Sequence, residues 1–263
     1  MDIYALAKRL DIPQEVIERL SPPPQEESCA RHIQGLCTGE YERHAAALHA
    51  LLGADEGGYK ILSAMLQAAL LSAEGYARHG IAEEIYYATM GCFPRFIREH
   101  KESFGVYGFD RWWWTGRQTA MLLFRIGTLE YECCIEGGKR LISVHIPSDA
   151  DLGDGAVDGS LLAAREFFQK YFPAYGDAEF HCYSWLLSPA LGELLPADSR
   201  INRFRRRFRI LSVNEDADDC KLWVFKNQSL QLEELPEHTT LQRRMKAYLL
   251  AGGKVGDAHG ILI

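Results

Sequence analysis

The sequence predicts an α+β protein, with an all-helical N-terminal domain packed on a C-terminal domain that is built around a mixed β-sheet. Two observations lead to this class. Apolar residues recur at helical spacing through the first 118 residues, whereas from Met121 onward they alternate with polar residues as in a strand. The later segments follow the order strand, strand, helix, strand, helix, strand, strand, which is typical of a sheet with helical connections. We therefore predict two domains, 1–118 and 119–263.

Five helical segments are predicted in the N-terminal domain, at 2–10, 13–20, 40–52, 59–79 and 81–102. The Ser-Pro-Pro-Pro run at 21–24 ends the second segment, because proline lacks the amide hydrogen that a helix needs. Glycines separate the later segments. Pro94 is expected to kink the last helix or to split it near Cys92.

The C-terminal domain begins with LLFRIGTLEYECC, in which apolar Leu129 and Tyr131 alternate with Glu130 and Glu132. This alternation predicts a half-buried strand. The Gly137-Gly138 pair then predicts a hairpin turn into a second strand that Pro147 ends. The remaining predicted elements are helix 157–172, strand 179–187, a helical turn at 190–195, strands 204–213 and 221–225, helix 240–250 and a short strand at 260–263.

Composition restricts the kind of protein. A net charge of −7 and a hydrophobic content of 47% are typical of a soluble globular protein, and argue against nucleic acid as the partner. No apolar run reaches the roughly 18 residues of a membrane span, and the N-terminus does not resemble a secretory signal. The seven cysteines are odd in number and contain no C-x-x-C pair, which predicts a reduced, cytoplasmic protein.

One group of cysteine and histidine residues has a spacing similar to that of zinc ligands. Cys29, His32 and Cys37 lie close together in the sequence, and all three side chains are of the kind that binds zinc. A fourth ligand at a usual spacing is missing. We therefore predict no metal.

Six arginines lie between residues 200 and 209. If the segment 203–210 is extended, Arg203, Arg205, Arg207 and Arg209 share one face of the strand. Two explanations remain open. A phosphorylated ligand suits the fork of donors on a guanidinium group, whereas carboxylates of the protein itself, such as Glu130 and Glu132 on a neighbouring strand, would neutralise the same charges.

The chain resembles a two-domain acyltransferase family, in which a helical N-acyltransferase-type N-terminal domain precedes a GNAT-like C-terminal domain. The stretches that carry the resemblance are DRWWWTGRQTAMLLFRIGTLEYE, the strand end at 145–147, the Ser184-Trp185 strand, the arginine segment 204–211 and the tail LQRRMKAYLLAGG. They cover nearly the whole C-terminal half, while the N-terminal half matches mainly in helical character. The resemblance implies a GNAT-like mixed sheet and transfer of an acyl group from acyl-CoA, or another acyl thioester, to an amine.

In GNAT folds, the pyrophosphate of acyl-CoA binds backbone amides where the fourth strand turns into the next helix. The usual signature there is Arg/Gln-x-x-Gly-x-Gly/Ala. The matching turn of this chain, 147–158, has glycines at 153 and 155 but lacks the leading Arg or Gln, and it carries four aspartates. Those carboxylates oppose an anion at the helix N-terminus. The residues implied for the acyl-CoA site are Gly153, Gly155, Trp185, Arg203, Arg205 and Arg207.

Acyl transfer to an amine needs a base and often an acid for the leaving thiol. His145 is our candidate for the base, since it ends a strand where the resemblance puts the acyl thioester. Tyr183, on the same strand face as His181 and Trp185, is the candidate acid. Glu130 and Glu132 project together from the first strand and can act as a base through water. A histidine bonded within a strand and an exposed sheet face are the structural alternatives.

The triple tryptophan at 112–114 cannot direct all its rings to one side of a helix or strand. At least one ring is expected to pack between the two domains, and stacking on a ligand is the alternative.

A rival function is a non-catalytic protein that keeps the GNAT-like fold and holds an anionic ligand or a protein partner. The acidic turn favours this rival, whereas the strand-end His145 favours the enzyme. The sequence contains no nucleophile elbow, Walker loop or dinucleotide-binding glycine motif, which argues against hydrolase, NTPase and Rossmann functions. The expected partners are a small-molecule acyl donor and an amine acceptor, with no nucleic acid and no membrane.

Overall fold

The computed structural model describes residues 1–24, 26–226 and 230–263 of the chain. The chain divides into two compact units, Met1–Ile126 and Gly127–Ile263. Helices dominate the first unit, and the second is built on a sheet that contains both parallel and antiparallel pairs. The predicted α+β class is confirmed, while the domain limits 1–118 and 119–263 stay predictions.

Among its described residues, the first unit contains eight α-helices, a short 3₁₀ helix (Glu56–Gly58) and a strand at its end. The α-helices and the strand are α1 (Ile3–Arg9), α2 (Gln14–Ile17), α3 (Glu27–Gly35), α4 (Tyr41–Leu52), α5 (Tyr59–Arg78), α6 (Glu83–Met90), α7 (Cys92–Phe104), α8 (Trp112–Thr119) and β1 (Leu123–Ile126). The break between α6 and α7 at Gly91 agrees with the split predicted near Cys92. The sequence prediction did not contain α3 or α8.

The longest helix of the first unit, α5, forms its core. Ile61, Met65 and Ala68 are fully buried along one side of α5, as their helical spacing predicts. In α8, the ring of Trp112 stacks on His49 with centroids 4.4 Å apart, while the side chain of Trp113 is exposed. A role for these tryptophans between the two domains stays a prediction.

The second unit contains five strands and five α-helices among its described residues, besides short 3₁₀ helices. The strands and α-helices are β2 (Leu129–Glu136), β3 (Lys139–His145), α9 (Asp154–Tyr171), β4 (Glu179–Ser184), α10 (Leu191–Leu194), α11 (Arg200–Arg205), β5 (Phe208–Asn214), α12 (Asp219–Phe225), α13 (Thr240–Leu250) and β6 (Asp257–Leu262). The strands lie in the order β2-β3-β4-β6-β5. Strands β3 and β4 are parallel neighbours, whereas the other three pairs are antiparallel.

A two-residue turn joins β2 to β3. Gly137 and Gly138 have φ values of 55° and 78°, which are accessible to glycine at little cost and match the twist of a hairpin. The resulting register pairs Glu130 with His145 and Glu132 with Ser143. The predicted hairpin is confirmed.

Alternation along the strands gives the sheet two different faces. We call the first the packing face, because its Tyr131 and Phe180 contact Phe168 and Arg165 of α9. It contains the buried residues Tyr131, Ile142, Val144, Phe180 and Cys182. We call the other the polar face; it contains Glu130, Glu132, Ser143, His145, His181, Tyr183 and His259. The candidate catalytic side chains therefore share one side of the sheet.

The packing face is held by aromatic contacts and one internal hydrogen bond. The ring of Tyr131 lies 5.6 Å from Phe180 and 6.5 Å from Phe168 of α9, measured between centroids. Its hydroxyl is 2.8 Å from Ser160 Oγ, and Ser160 also accepts the Leu129 amide at 3.2 Å. The polar atoms buried in this layer are thus paired, as a low-dielectric core requires.

The predicted strand 204–213 is wrong over its first part. Residues Arg200–Arg205 form the helix α11, which Ser199 caps by accepting the Asn202 amide hydrogen at 3.2 Å. Strand β5 begins only at Phe208. Arginine has a high helix propensity, and the spacing of Phe204 and Phe208 suits a helix as well as a strand. Consequently Arg203, Arg205, Arg207 and Arg209 do not share one strand face.

Two other strand predictions need correction. The segment 221–225 belongs to α12, whose buried Cys220, Val224 and Phe225 show helical rather than alternating spacing. Strand β4 ends at Ser184, whose hydroxyl accepts the Leu186 amide hydrogen and starts a 3₁₀ turn. Trp185 therefore lies in that turn, beyond the strand face of His181 and Tyr183, and packs against the apolar cluster around Leu191 and Met245.

Candidate active site

The carboxyl end of β3 carries His145, which lies beside Glu132 of the antiparallel strand β2. The His145 Nε2 atom is 2.8 Å from Glu132 Oε2, and the two side chains are only 22% and 14% exposed. Strand pairing explains this contact, because Glu132 is opposite Ser143 and so lies diagonally across from His145. If Nε2 carries the hydrogen that the carboxylate accepts, the lone pair of neutral imidazole is on Nδ1. The pair has the arrangement of a general base and the carboxylate that orients it.

Glu130 joins this pair on the same face. It lies directly opposite His145 in the register of β2 and β3, and only 2% of the residue is exposed. The alternation in the sequence thus brings Glu130, Glu132 and His145 together. Their catalytic roles stay predictions.

A second group of titratable side chains lies on β4 and β6. The Nδ1 atom of His181 is 2.8 Å from Nε2 of His259, and the ring of His259 stacks on Tyr183 with centroids 3.9 Å apart. The Tyr183 hydroxyl donates to Glu136 Oε2 at 2.8 Å. Burial and the neighbouring His181 lower the pKa of His259, which keeps its imidazole neutral near pH 7.

Tyr183 is a weak acid in this setting. Burial and the Glu136 carboxylate raise the pKa of Tyr183 to about 12, because the phenolate would lie beside a negative charge. An ordinary thiol has a pKa of ~8.5, so complete proton transfer from Tyr183 to a leaving thiolate is uphill by roughly 3.5 pKa units. The hydroxyl is better suited to donating a hydrogen bond than to giving up its proton.

The acidic turn and the arginines pair with each other. Arg207 Nη2 lies 2.8 Å from Asp154 Oδ1 and Arg207 Nε lies 2.9 Å from Asp158, while Arg203 Nε lies 2.9 Å from Asp154 Oδ2. The hydrogen bond from Arg207, with further help from Arg203, lowers the pKa of Asp154. The carboxylate explanation for these arginines is correct in kind, but the partners are Asp154 and Asp158 rather than Glu130 and Glu132.

The two glycines of the turn lie at different places. Gly153 precedes α9, and its amide hydrogen is donated to Asp151 Oδ1 at 2.9 Å. Gly155 lies inside α9, because the helix begins at Asp154 rather than at the predicted Val157. The chain's own carboxylates thus occupy part of the position where the resemblance implies a pyrophosphate.

Arg205 differs from Arg203 and Arg207 in its contacts. Its guanidinium lies over Gly192, where a Cβ atom would come within 3.0 Å of Nη2. Within the ranges that the structure describes, Arg205 forms no ion pair, and its buried Nε has no hydrogen-bond partner. Unlike Arg203 and Arg207, it is therefore not occupied by any carboxylate among the described residues.

Sequence reasoning missed His259 and Glu136. His259 lies in the segment GDAHGILI, in which only the last four residues, GILI, were predicted to form a strand. The pairing of β6 between β4 and β5 is a long-range feature, and it alone puts His259 beside His181 and Tyr183.

The described residues give no support to a metal site or a membrane span. No group of three or more His, Cys, Asp or Glu side chains among them is arranged to hold a metal ion. Cys29 is buried, His32 Nδ1 lies 3.0 Å from His44 Nδ1, and Cys37 donates to the Ala68 carbonyl. In the same part of the chain, no helix has the length and apolar character that crossing a bilayer requires.

Two family profiles match the chain, one for each half. The N-acyltransferase N-terminal domain profile matches residues 1–121, and the GNAT-like C-terminal domain profile matches residues 123–262. The comparison with curated proteins gave no significant match.

Solved structures of an acyltransferase are similar to the whole chain. One, in complex with decanoyl-CoA and teicoplanin, is 25% identical, with a TM-score of 0.85. Another, in complex with decanoyl-CoA, is also 25% identical, with a TM-score of 0.83. Each alignment covers 98% of this chain and 86% of the other.

Proposed function

The chain belongs to the family that joins an N-acyltransferase N-terminal domain to a GNAT-like C-terminal domain, and we propose that it transfers an acyl group from acyl-CoA to an amine. The observation that carries this proposal is the Glu132–His145 pair at the end of β3, beside the parallel strand β4. The similar acyltransferase structures that contain decanoyl-CoA support a donor with a medium-length acyl chain. The cysteines, all seven of them free, fit a cytoplasmic setting.

In the proposed reaction, the lone pair of a neutral amine attacks the thioester carbonyl carbon, and the C=O π electrons move to oxygen. Collapse of this intermediate restores the carbonyl, breaks the C–S bond and leaves the electron pair on sulfur. His145 accepts the proton that the amine nitrogen loses, and the Glu132 carboxylate stabilises the imidazolium that forms. Return of that proton to the thiolate gives an amide and free CoA thiol, which balances the reaction.

Tyr183 is proposed as a hydrogen-bond donor to the departing sulfur, which requires its single hydroxyl hydrogen to turn from Glu136 Oε2 to the sulfur. Its raised pKa, about 12, keeps the phenol protonated throughout the neutral range. A neutral donor stabilises developing negative charge without a full proton transfer. Glu130 is proposed as an acceptor that supports His145 from the opposite strand.

The anionic part of the donor is proposed to bind near the arginines of α11. Arg205 is the first contact, because Arg203 and Arg207 already pair with Asp154 and Asp158. Phosphate groups that displace these aspartates would also reach Arg203, Arg207 and the amides near Gly153 and Gly155. A role for Trp185 at the edge of this site is part of the same proposal.

The test is a thermal-shift series with free CoA, acetyl-CoA, octanoyl-CoA and decanoyl-CoA. A ligand that binds only the folded state adds about 2.7 kcal/mol of stability at 100 times its Kd, which raises the Tm by several degrees. We expect decanoyl-CoA to raise the Tm more than free CoA, and Arg205→Gln to reduce both shifts relative to the exposed control Arg209→Gln. The absence of any shift with all four ligands would contradict the proposal.

One observation favours the rival function of a non-catalytic binding protein. The Asp154 and Asp158 carboxylates occupy Arg203 and Arg207, which is unlike an open pyrophosphate site. Such a protein would bind acyl-CoA, or another anion, without releasing thiol. Assays with teicoplanin and simple primary amines as acceptors separate the two functions, since only the enzyme forms an amide.

A further inference from the structure

We propose that His259 is a positioning residue of the active site, which selects the tautomer of His181 and fixes the ring of Tyr183. This inference rests on the proposed acyl transfer for its catalytic part. Its structural part concerns the contacts among His181, Tyr183 and His259, and it does not depend on that reaction.

The strand β6 brings His259 between the two residues. Tyr183 and His259 are directly opposite each other in the antiparallel pair of β4 and β6, and their rings stack at 3.9 Å with an interplanar angle of 11°. His181 lies two residues earlier on β4, on the same face, and its Nδ1 is 2.8 Å from His259 Nε2. One imidazole thus contacts both neighbours through different parts of its ring.

The hydrogen-bond partners of His181 decide which nitrogen carries its hydrogen. Its Nε2 lies 3.7 Å from Glu179 Oε2, which is beyond hydrogen-bond distance, so this exposed carboxylate favours a hydrogen on Nε2 only weakly. When the hydrogen is on Nε2, Nδ1 accepts and His259 donates from Nε2, and this 2.8 Å hydrogen bond holds His181 in that tautomer. The lone pair of His259 is consequently on Nδ1.

The stack restricts a side chain that would otherwise be mobile. Tyr183 is 45% exposed, and an exposed tyrosine loses rotamer freedom when it is held in one place. The His259 ring covers one face of the phenol, while Glu136 accepts the hydroxyl hydrogen. Together they keep the phenol oxygen at one position on the polar face, from which its hydrogen can turn from Glu136 to a leaving group.

Two substitutions separate the two contacts. His259→Phe keeps an aromatic ring for Tyr183 but removes the donor to His181, whereas His259→Gln keeps an amide donor but removes the stacked ring. The exposed His238→Ala variant is the control for the loss of an unrelated histidine. Melting curves of all variants establish that each protein is folded.

The first readout is the ring ¹⁵N chemical shifts of His181 in the substrate-free full chain, assigned with a His181→Gln variant. In the wild type we expect the shifts of an Nε2-protonated ring. His259→Phe should move them towards a mixture of tautomers, and His259→Gln should leave them close to the wild type. Unchanged His181 shifts in His259→Phe would overturn the inference, whatever the activity.

The second readout is steady-state acyl transfer from decanoyl-CoA. We expect His259→Gln to lower kcat by roughly 10- to 100-fold with little change in the KM for the donor, because a misplaced group affects the transition state. Wild-type kcat in both His259 variants would also overturn the inference. If the wild type transfers no acyl group, the proposed function fails, and the ¹⁵N shifts alone decide whether His259 sets the tautomer of His181.

Discussion

The two faces of the sheet in the second unit differ although their residues alternate along the same strands. The packing face, represented by Tyr131 and Phe180, is apolar and lies against α9. The polar face carries Glu132, His145 and Tyr183, whose partners are other titratable side chains. Neighbouring residues such as Tyr131 and Glu132 therefore belong to different environments.

This difference separates the residues that stabilise the fold from the residues that are proposed to take part in the reaction. A side chain on the packing face contributes through buried area and contact, so its loss leaves a cavity. A side chain on the polar face contributes through the proton that it holds or accepts, so its loss changes reactivity more than folding. Substitutions on the packing face should therefore lower the Tm and leave turnover nearly unchanged. Substitutions on the polar face should lower turnover and leave the Tm nearly unchanged.

The largest effect is expected for His145→Ala on the polar face. A general base contributes typically ~10²–10⁴-fold, so turnover should fall by about that factor while the Tm changes little. The measurement is thiol release from acyl-CoA together with a melting curve of the same preparation. His238→Ala, at an exposed site, is the matched control. Full activity with a lowered Tm would show that His145 is structural and would leave Glu130, Glu132 or water as the base.

The next largest effect is expected for Phe180→Ala on the packing face. The residue is 1% exposed, and its ring contacts Tyr131 and the guanidinium of Arg165. Removal of a buried phenyl ring costs about 3–5 kcal/mol, so urea unfolding should show a loss of that size. Activity per folded molecule should stay near the wild-type value. A loss of activity without a loss of stability would contradict the assignment of stability to the packing face and of reactivity to the polar face.

A smaller, pH-dependent effect is expected at Asp257, which begins β6 and, by strand alternation, lies on the same face as His259 two residues later. Burial, together with the neighbouring Asp219 carboxylate, raises the pKa of Asp257 to about 6. Because the folded-state pKa is above the ordinary value, the contribution to stability is complete at low pH and is lost as the pH rises through 6. Since the group is about half buried, we expect Asp257→Asn to add only about 1 kcal/mol at pH 8.

The control for Asp257→Asn is an aspartate with the opposite shift. A hydrogen bond from Lys254 lowers the pKa of Asp216, so Asp216→Asn should not raise the Tm at pH 8. Urea unfolding at pH 5 and pH 8 checks both variants. Equal effects of Asp257→Asn at the two pH values would contradict the account of this carboxyl group.

The smallest effects on stability come from one substitution made on each face, Tyr131→Phe and Tyr183→Phe. Tyr131→Phe removes the hydrogen bond to Ser160 and should cost about 1 kcal/mol of stability with unchanged kcat. Tyr183→Phe removes the bond to Glu136 and should lower kcat with little change in Tm. If both variants lose only stability, Tyr183 has no part in the reaction.

Local patterns in the sequence were sufficient for part of this structure. The alternation in β2 and the Gly137-Gly138 turn predicted the hairpin, and with it the common face of Glu130 and Glu132. The strand-end position of His145 followed from Pro147. These features depend on residues that are close in sequence.

The remaining features depend on long-range pairing or on residues that suit more than one conformation. The arginine segment is compatible with a helix and with a strand, and the Ser199 cap decides in favour of α11. The contacts of Arg203 and Arg207 with Asp154 and Asp158 join residues about fifty positions apart. His259 becomes part of the polar face only because β6 pairs with β4.

The measurement that tests the central claim most directly is a product assay of the wild-type chain with decanoyl-CoA and an amine acceptor. Mass spectrometry of the acceptor and a thiol-reactive dye would follow the two products in one reaction. We predict an acceptor that is heavier by one decanoyl group, with one free thiol formed for each amide. Stabilisation of the folded protein by decanoyl-CoA without amide or thiol above the enzyme-free rate would contradict acyl transfer and establish a binding protein.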